Sequence, residues 1–332
     1  MSVPGGCQRR PASTLGGVIT QASTGHGTGN DFVLVLDPQG ANDPTELQTA
    51  LLADRRRGIG GDGVIRVVRS ADSGIPGAEQ AAAAGAEWFM DYRNADGSLA
   101  EMCGNGVRVF AHYLMERGLV DAHDFPVGTR DGTKRVERIA DPRGGPEAWY
   151  RVDMGEYRFP RGSDGADSLV ETDGIAVARP ALSVDLGNPH TVLALASRAE
   201  LDAADLRRPP RVDPVPPEGT NIEYIVVDPA AGHEPTGAQE TGAQAAGAVR
   251  MRVHERGVGE TFACGTGACA AALAARSWAG AGAPDYWFVE QPGGTVRVEV
   301  AGGRAYLSGP AVLTAEVTPS PELTAALEAL AG

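Results

Sequence analysis

Lysine is almost missing from this chain of 332 residues: the only one is Lys134, inside the polar stretch Arg130-Asp-Gly-Thr-Lys-Arg135. A pyridoxal-phosphate enzyme needs a Schiff-base lysine in a closed pocket, and a lysine in a solvated turn does not supply one. Cysteine is scarce as well. The four are Cys7, Cys103, Cys264 and Cys269, none in a CxxC spacing. That leaves a zinc site or thioredoxin-type motif unsupported and makes a disulfide scaffold a poor fit to so long a chain. No GxGxxG follows a strand-like run and no Walker-type phosphate loop occurs, so nucleotide cofactors are unsupported too. Positive charge is in deficit, with 29 Lys and Arg against 43 Asp and Glu and a net charge of −14, which argues against a nucleic-acid partner. No apolar run reaches the roughly 18 residues that span a membrane. Arg9 and Arg10 have no apolar segment behind them, so residues 1–17 read as a disordered extension and not as a secretory signal. The expected location is the cytoplasm.

Composition is otherwise that of an ordinary globular protein, 42% apolar and 22% charged, with enough length for two domains. The informative feature is a pair of near-identical stretches, Glu101-Met-Cys-Gly-Asn-Gly106 and Phe262-Ala-Cys-Gly-Thr-Gly267. Each sets a cysteine before a Gly-polar-Gly turn that opens onto an apolar, helix-compatible run. A thiol at a helix N-terminus sits in the positive end of the helix field, which favours thiolate. The glycines allow close backbone approach, and the free N–H groups of the first turn form an anion site. Two such elements suggest two thiols, Cys103 and Cys264, facing one substrate from opposite sides. Cys269, inside an Ala-rich helix, reads as a small buried residue.

Alternating strand-like segments recur along the chain, among them 32–36, 63–68, 222–227, 249–253 and 295–300, while long helical patterns are few. The expected class is α+β: two similar domains related by pseudo-twofold symmetry, mostly antiparallel. The halves share more than the cysteine motif. Asn94 and Glu255 each lie nine residues before their cysteine. Asn30 and Asn221 each precede an apolar strand, which pairs them as expected equivalents. Residues 70–86 and 229–248 read as loops interrupting the two halves. An internal duplication predicts domains at residues 18–147 with 310–332, and 148–309.

Eight stretches in order carry a resemblance to a known family. They are Gly25-His-Gly-Thr-Gly-Asn-Asp-Phe32, Arg57-Gly-Ile-Gly-Gly-Asp-Gly63, Arg93-Asn-Ala-Asp-Gly97, Glu101-Met-Cys-Gly-Asn-Gly106, Gly187-Asn-Pro-His190, Gly219-Thr-Asn221, His254-Glu-Arg-Gly257 and Ala263-Cys-Gly-Thr-Gly267. The series resembles that of diaminopimelate epimerases. The resemblance implies cofactor-independent interconversion of LL- and meso-diaminopimelate, in lysine and peptidoglycan precursor biosynthesis. It further implies two domains, each a curved sheet wrapped around a central helix. Cys103 and Cys264 would be the catalytic pair, one as thiolate base and one as thiol acid. Gly104, Asn105, Gly265 and Thr266 would hold the reacting carboxylate. Asn30, Asn94, Asn188, Asn221, Glu255 and Arg256 would read the distal amino-acid centre. His190 and Glu255 match positions that tune the thiols. The one family position left without a side chain here is Gly63.

Blander readings compete at several of these positions. The asparagines also suit Asx-turns or caps, His190 suits a satisfied surface histidine, and Arg55-Arg-Arg57 reads as a solvated charge run. Two rival functions stand beside the main one. A proline or hydroxyproline racemase of the same fold would keep both cysteines and change the distal cluster. A thiol-redox protein would pair them as a disulfide. The expected partner is a small diamino-dicarboxylate, and pairing of two copies as a homodimer is left open by the sequence.

Overall fold

Apolar residues alternate along most of the strand-like segments, and the chain uses that pattern to wrap each of two helices in a sheet. The structure is a computed structural model that describes residues 19–163, 165–228 and 246–331. The expected N-terminal extension, Cys7 and most of the second loop, residues 229–245, lie outside the described residues.

In chain order the first half contains β1 (Ala22–Gly27), β2 (Asn30–Leu36), α1 (Glu46–Ala53), β3 (Gly63–Arg69), α2 (Ala78–Ala83), β4 (Trp88–Asn94), α3 (Gly104–Glu116), β5 (Asp124–Thr129), β6 (Gly132–Ile139), β7 (Trp149–Glu156) and β8 (Ser168–Glu171). The second contains β9 (Arg179–Asp185), β10 (Pro189–Ala194), α4 (Arg198–Ala203), β11 (Arg211–Asp213), β12 (Asn221–Val227), β13 (Gly247–Glu255), β14 (Gly259–Thr261), α5 (Gly265–Ala279), β15 (Tyr286–Gln291), β16 (Gly294–Ala301), β17 (Arg304–Pro310), β18 (Val312–Val317) and α6 (Pro321–Ala329). Residues 70–86, expected as a loop, contain the short helix α2, because their alanines favour helix over irregular chain.

Strand pairing repeats itself. In the first lobe the order is β1-β2-β3-β4-β5-β6-β7, with β2–β3 and β4–β5 parallel and the other neighbours antiparallel. In the second it is β9-β10-β12-β13-β15-β16-β17, with β10–β12 and β13–β15 parallel and the others antiparallel. The strand after each series crosses over: β8 pairs with β9, and β18 returns to pair with β1. β7 and β17 pair antiparallel and join the sheets at a seam. The fold is therefore α+β and mostly antiparallel, as the sequence pattern suggests.

The repeat corrects one expected equivalence. Phe32 pairs with Gly63 where β2 meets β3, and His190 pairs with Asn221 where β10 meets β12. Asn30 therefore corresponds to Asn188, and Asn221 corresponds to Gly63. Asn30 lies 73 residues before Cys103 and Asn188 lies 76 before Cys264, so no large gap is needed to align the halves. Asn94 and Glu255 do correspond, each closing its strand, β4 or β13.

Each central helix is enclosed by its sheet, α5 with almost no polar residue and α3 with one polar stripe, Asn105, Arg108, His112 and Glu116. In α3, Val107, Val109, Phe110, Ala111 and Leu114 are fully buried. In α5, residues 268–275 are nearly all alanine and buried on every side, as a helix enclosed by a sheet must be. Small side chains let the second sheet close tightly around it. One continuous core runs from Phe32 and Leu34 through Val152 and Leu307 to Val289 and Val298, crossing the seam.

The strand that carries Asn94 is held by a buried charge network. Asp91, fully buried on β4, accepts from Arg130 Nη2 at 2.5 Å and lies 3.3 Å from both Arg66 Nη1 and Arg93 Nη2. Burial pushes its carboxyl up, but Arg93 and Arg130 outweigh this and hold it below the ordinary carboxylate range. Its stabilising charge is thus present at neutral pH and is lost only as the pH falls below that range. Replacing Asp91 by Asn leaves three guanidiniums without their shared partner and is expected to cost about 3–5 kcal/mol. Urea unfolding at neutral pH checks this; an unchanged midpoint would contradict it.

Candidate active site

Cys103 and Cys264 occupy the same structural position in their lobes. Each is the N-cap of its central helix, with backbone angles φ −139° and ψ 117° for Cys103 and φ −126° and ψ 119° for Cys264. Each thiol accepts from the third amide of the helix: Gly106 N at 3.4 Å and Gly267 N at 3.3 Å. Ser, Thr, Asp or Asn ordinarily fill this role; a cysteine there places sulfur where the helix field is most positive. All cysteines among the described residues are free thiols.

The two helix ends abut. A Cβ built on Gly265 would stand 3.4 Å from Gly104 Cα and 3.0 Å from Leu307 Cδ2, and one on Gly104 would stand 3.1 Å from Leu307 Cδ2 and Met154 Cε. Glycine at both positions is what lets the backbones meet. Asn105 bridges the lobes, its Nδ2 donating to Asn30 Oδ1 at 3.2 Å and to the carbonyl of Ala263 at 3.3 Å. The thiol of Cys103 lies 3.5 Å from Asn30 Oδ1, and Asn30 Nδ2 in turn donates to Asp62 at 2.7 Å. On the other side Asn188 Nδ2 donates to Thr266 Oγ1 at 3.3 Å, and Thr266 Oγ1 lies 3.6 Å from Cys264 Sγ.

These groups share one cleft of about 1750 Å³, lined by Asn30, Asn94, Cys103, Gly104, Asn105, Asn188, Glu255, Cys264, Gly265 and Thr266. Three expected site residues stand back from it. His190 is buried behind Asn188, its Nε2 3.0 Å from Asn188 Oδ1; it is not a surface histidine. Asn221 donates to the carbonyl of Pro189 at 3.3 Å and accepts from Arg256 N at 3.0 Å, so it shapes the wall. The Arg256 guanidinium is turned outward onto the carbonyl of Glu218 at 2.6 Å. Arg55 is not simply a solvated charge: it lines the cleft and pairs with Asp31 at 2.6 Å and Asp62 at 2.8 Å.

Two buried charged residues were not singled out from sequence. Glu223, fully buried on β12, lies 2.7 Å from His190 Nδ1. Arg108, fully buried on α3, reaches Asn105 Oδ1 at 3.0 Å and Thr28 Oγ1 at 3.2 Å. The signal existed in both cases: each is a charged residue inside an otherwise apolar buried run.

The helix amides do pull both thiols toward thiolate, as their position suggests, but burial outweighs them. Burial pushes the Cys103 thiol up to about 11, and Glu255 adds to that against the amides of Gly106 and Asn105. Cys264 is also pushed well above the ordinary thiol value, first by burial and then by Glu255 and Glu223. Desolvation penalises the anion more than two amide donors reward it. Glu255 bonds Thr261 Oγ1, and burial raises its own carboxyl. Among the described residues no group of three or more His, Cys, Asp or Glu side chains is placed to hold a metal ion.

Two sheets of matching strand order, each wrapped around one helix and joined at a seam, define the class of two-lobed fold to which the chain belongs. The fold is that of a hydroxyproline epimerase from Agrobacterium vitis solved with bound trans-4-hydroxy-L-proline, at TM-score 0.57 and 15% identity over 92% of this chain and 93% of that one. It is also that of a PhzF-family phenazine biosynthesis protein from Bacillus anthracis, at TM-score 0.59 and 15% identity over 91% and 99%.

Within that class the chain belongs to the diaminopimelate epimerase family, whose model matches residues 22–160 and 182–314. The diaminopimelate epimerase of Rhodococcus jostii (strain RHA1) is 45% identical over 303 residues, 89% of this chain and 96% of that protein. That of Streptomyces coelicolor is 46% identical over 301 residues, 88% and 92%. The protein is accordingly an isomerase acting on a small molecule, and no helix among the described residues is long and apolar enough to cross a membrane.

Because Glu255 raises both thiols, Glu255→Gln is expected to lower the pH at which each reacts with iodoacetamide, followed from about pH 8 to 12. Peptide mass spectrometry resolves Cys103 from Cys264; unmoved midpoints for both would contradict the placement of Glu255 between them.

Proposed function

We propose that the protein interconverts LL- and meso-diaminopimelate by inverting one α-carbon between Cys103 and Cys264. The observation that carries this reading is the meeting of two thiol-capped helix N-termini in one cleft of a chain from this family. Inversion without an electron sink requires a base on one face of the α-carbon and an acid on the other. The thiolate removes the α-proton, and the opposite thiol donates its own. The first sulfur ends protonated and the second ends as thiolate, so charge is conserved and the reverse reaction uses the same parts.

Burial that raises a thiol's proton affinity makes its thiolate a stronger base, at the expense of its population in the empty cleft. The first-turn amides at Gly104, Asn105, Gly265 and Thr266 have no partner within their helices. They suit the α-carboxylate and the charge that builds on it as the carbanion forms, each donor being worth about 10²–10³ in rate. Asn30, Asn94, Asn188 and Glu255 line the cleft beside them and would read the distal ammonium and carboxylate, while Asn221 and Arg256 support that wall. His190 acts on the thiols at one remove, through Asn188 and Glu223. The lobes are taken as residues 18–147 with 310–332, and 148–309, a division at the seam that counts β7 with the second lobe although it also completes the first sheet, β18 and β1 closing the first. Their reaction places the protein in the biosynthesis of lysine and peptidoglycan precursors, in the cytoplasm.

Proton NMR of LL-diaminopimelate in D₂O tests the reading. Reduced protein is expected to exchange the α-proton and generate the meso isomer, and Cys103→Ala or Cys264→Ala to slow turnover by at least about 10²–10⁴-fold. No exchange by fully reduced wild type would refute the substrate assignment.

A further inference from the structure

The two lobes repeat each other's backbone, so the places where equivalent side chains differ in charge are informative. Counting from each cysteine, Arg108 on α3 corresponds to Cys269 on α5. From the strand registers, Phe32 and Ile65 in the first lobe correspond to His190 and Glu223 in the second. Beneath the first turn of α3, a Cβ on Gly106 would meet Ile65 Cδ1 at 3.4 Å and Phe32 Cζ at 3.6 Å. Beneath the first turn of α5, a Cβ on Gly267 would meet Glu223 Oε1 at 2.8 Å. An apolar pair under one thiol is thus a histidine–carboxylate pair under the other, and Glu223 Oε2 is buried with no hydrogen-bond partner.

Arg108 is the second asymmetry. Its guanidinium is fully buried and bonds only neutral acceptors: Thr28 Oγ1, Asn105 Oδ1, and the carbonyls of Gly104 and Pro310 at 3.4 Å. Among the described residues no carboxylate pairs with it. A cation at the positive end of a helix is unfavourable, and a buried unpaired one more so. Here it sits in the first two turns of α3, beside the N-terminus of α5. One acceptor, Thr28, holds the left-handed φ of 54°, rare for a threonine, with its hydroxyl against the carbonyl of Gly27 at 2.7 Å. The guanidinium holds Asn105, which donates to Asn30 Oδ1; that oxygen accepts from the Cys103 thiol and favours its protonated form, so Arg108 acts on the sulfur through its field and not along this chain. The titratable and charged groups facing Cys103 are Glu255, which opposes its ionisation, Arg108, which favours it more weakly, and Tyr92; those facing Cys264 are Glu255 and Glu223, with His190 behind them.

We propose that these departures from symmetry fix the order in which the thiols lose their protons: Arg108 makes Cys103 the first to ionise, while Glu223 and Glu255 keep Cys264 protonated. The unpaired cation is the positive charge that a Cys103 thiolate neutralises, and Arg108 is a positioning residue that acts through that sulfur. The two thiols are thereby made unequal before any proton moves: Cys103 is the sulfur poised to become the base and Cys264 the one that stays the acid. The mechanistic consequence rests on the function proposed above; the order of ionisation does not.

The test is the pH dependence of iodoacetamide labelling of reduced, substrate-free protein from about pH 8 to 12, in brief pulses resolved at each cysteine by peptide mass spectrometry, a Cys264 midpoint beyond that range counting as the higher one. The midpoint is read, because Cys103 is the more accessible residue and amplitude alone would report access. The Cys103 midpoint is expected about one pH unit or more below that of Cys264. Arg108→Gln should raise the Cys103 midpoint by a similar amount and spare Cys264, and Arg108→Lys should restore it. Glu223→Gln should lower the Cys264 midpoint alone. A lower wild-type midpoint at Cys264, or equal Cys103 midpoints in Arg108→Gln and Arg108→Lys, would overturn the proposal. If Arg108→Gln does not fold, the wild-type order and the Glu223→Gln shift decide. Exchange of α-protons from diaminopimelate, measured on the same protein, separates the two readings. The expected order without exchange removes the substrate assignment only; exchange with the reverse order removes the ionisation order only.

Discussion

Two helix ends of the same electrical sign are pressed together where Gly104 meets Gly265, and most of the site follows from holding them there. Each N-terminus carries the equivalent of about half a positive charge, so their approach is unfavourable until an anion lies between them. The seam strands β7 and β17 supply the mechanical support, with Leu307 against both glycines and Met154 against Gly104. Asn105 adds a hydrogen-bonded tie to the residue that precedes Cys264. A side chain at either glycine would push the ends apart, and a thiol one residue earlier in each helix lands at the rim of the same positive region. Cysteine as N-cap, glycine as first helical residue and the crossed-over strands β8 and β18 are parts of one arrangement.

The duplication builds that arrangement twice and then departs from it. Asn30 and Asn188 remain alike and take up matching places beside the two thiols. Gly63 against Asn221 and Asn94 against Glu255 give the cleft walls different polar groups, which an asymmetric substrate with two unlike ends requires. Burial acts on both thiols in the same direction and outweighs the helix amides. The local balance at each sulfur is therefore set by the charges that differ, and not by the scaffold that repeats.

Much of this was legible in the sequence, for reasons that can be stated. Cys103 and Cys264 stand in short contiguous motifs, and a helix N-cap is a local feature, so the pairing of thiols with helix starts needed no knowledge of distant contacts. Alternation in residues 222–227 and 249–253 marked β12 and β13 for the same reason. Parallel pairing was not visible: which strand lies beside β2 or β10 depends on a crossover through a helix. For that reason Asn221 was matched to Asn30 when its structural counterpart is Gly63. The fate of charged side chains was the least legible. Arg108 and Arg256 are both arginines next to glycine-rich turns, yet one is enclosed between two lobes and the other faces outward onto a carbonyl. Burial of that kind is decided by the closing of a sheet, which no local pattern encodes. The pull of the helix amides on each thiol is likewise local and legible, whereas the desolvation that outweighs it comes from the whole fold.

A crystal structure of the Cys103→Ser variant with meso-diaminopimelate bound tests most directly whether the abutting helix ends are the anion site. One carboxylate of the ligand should lie against the amides of Gly104, Asn105, Gly265 and Thr266, with the adjacent α-carbon between position 103 and Cys264 Sγ. A ligand whose carboxylates both lie elsewhere in the cleft, leaving those amides to water, would contradict the account.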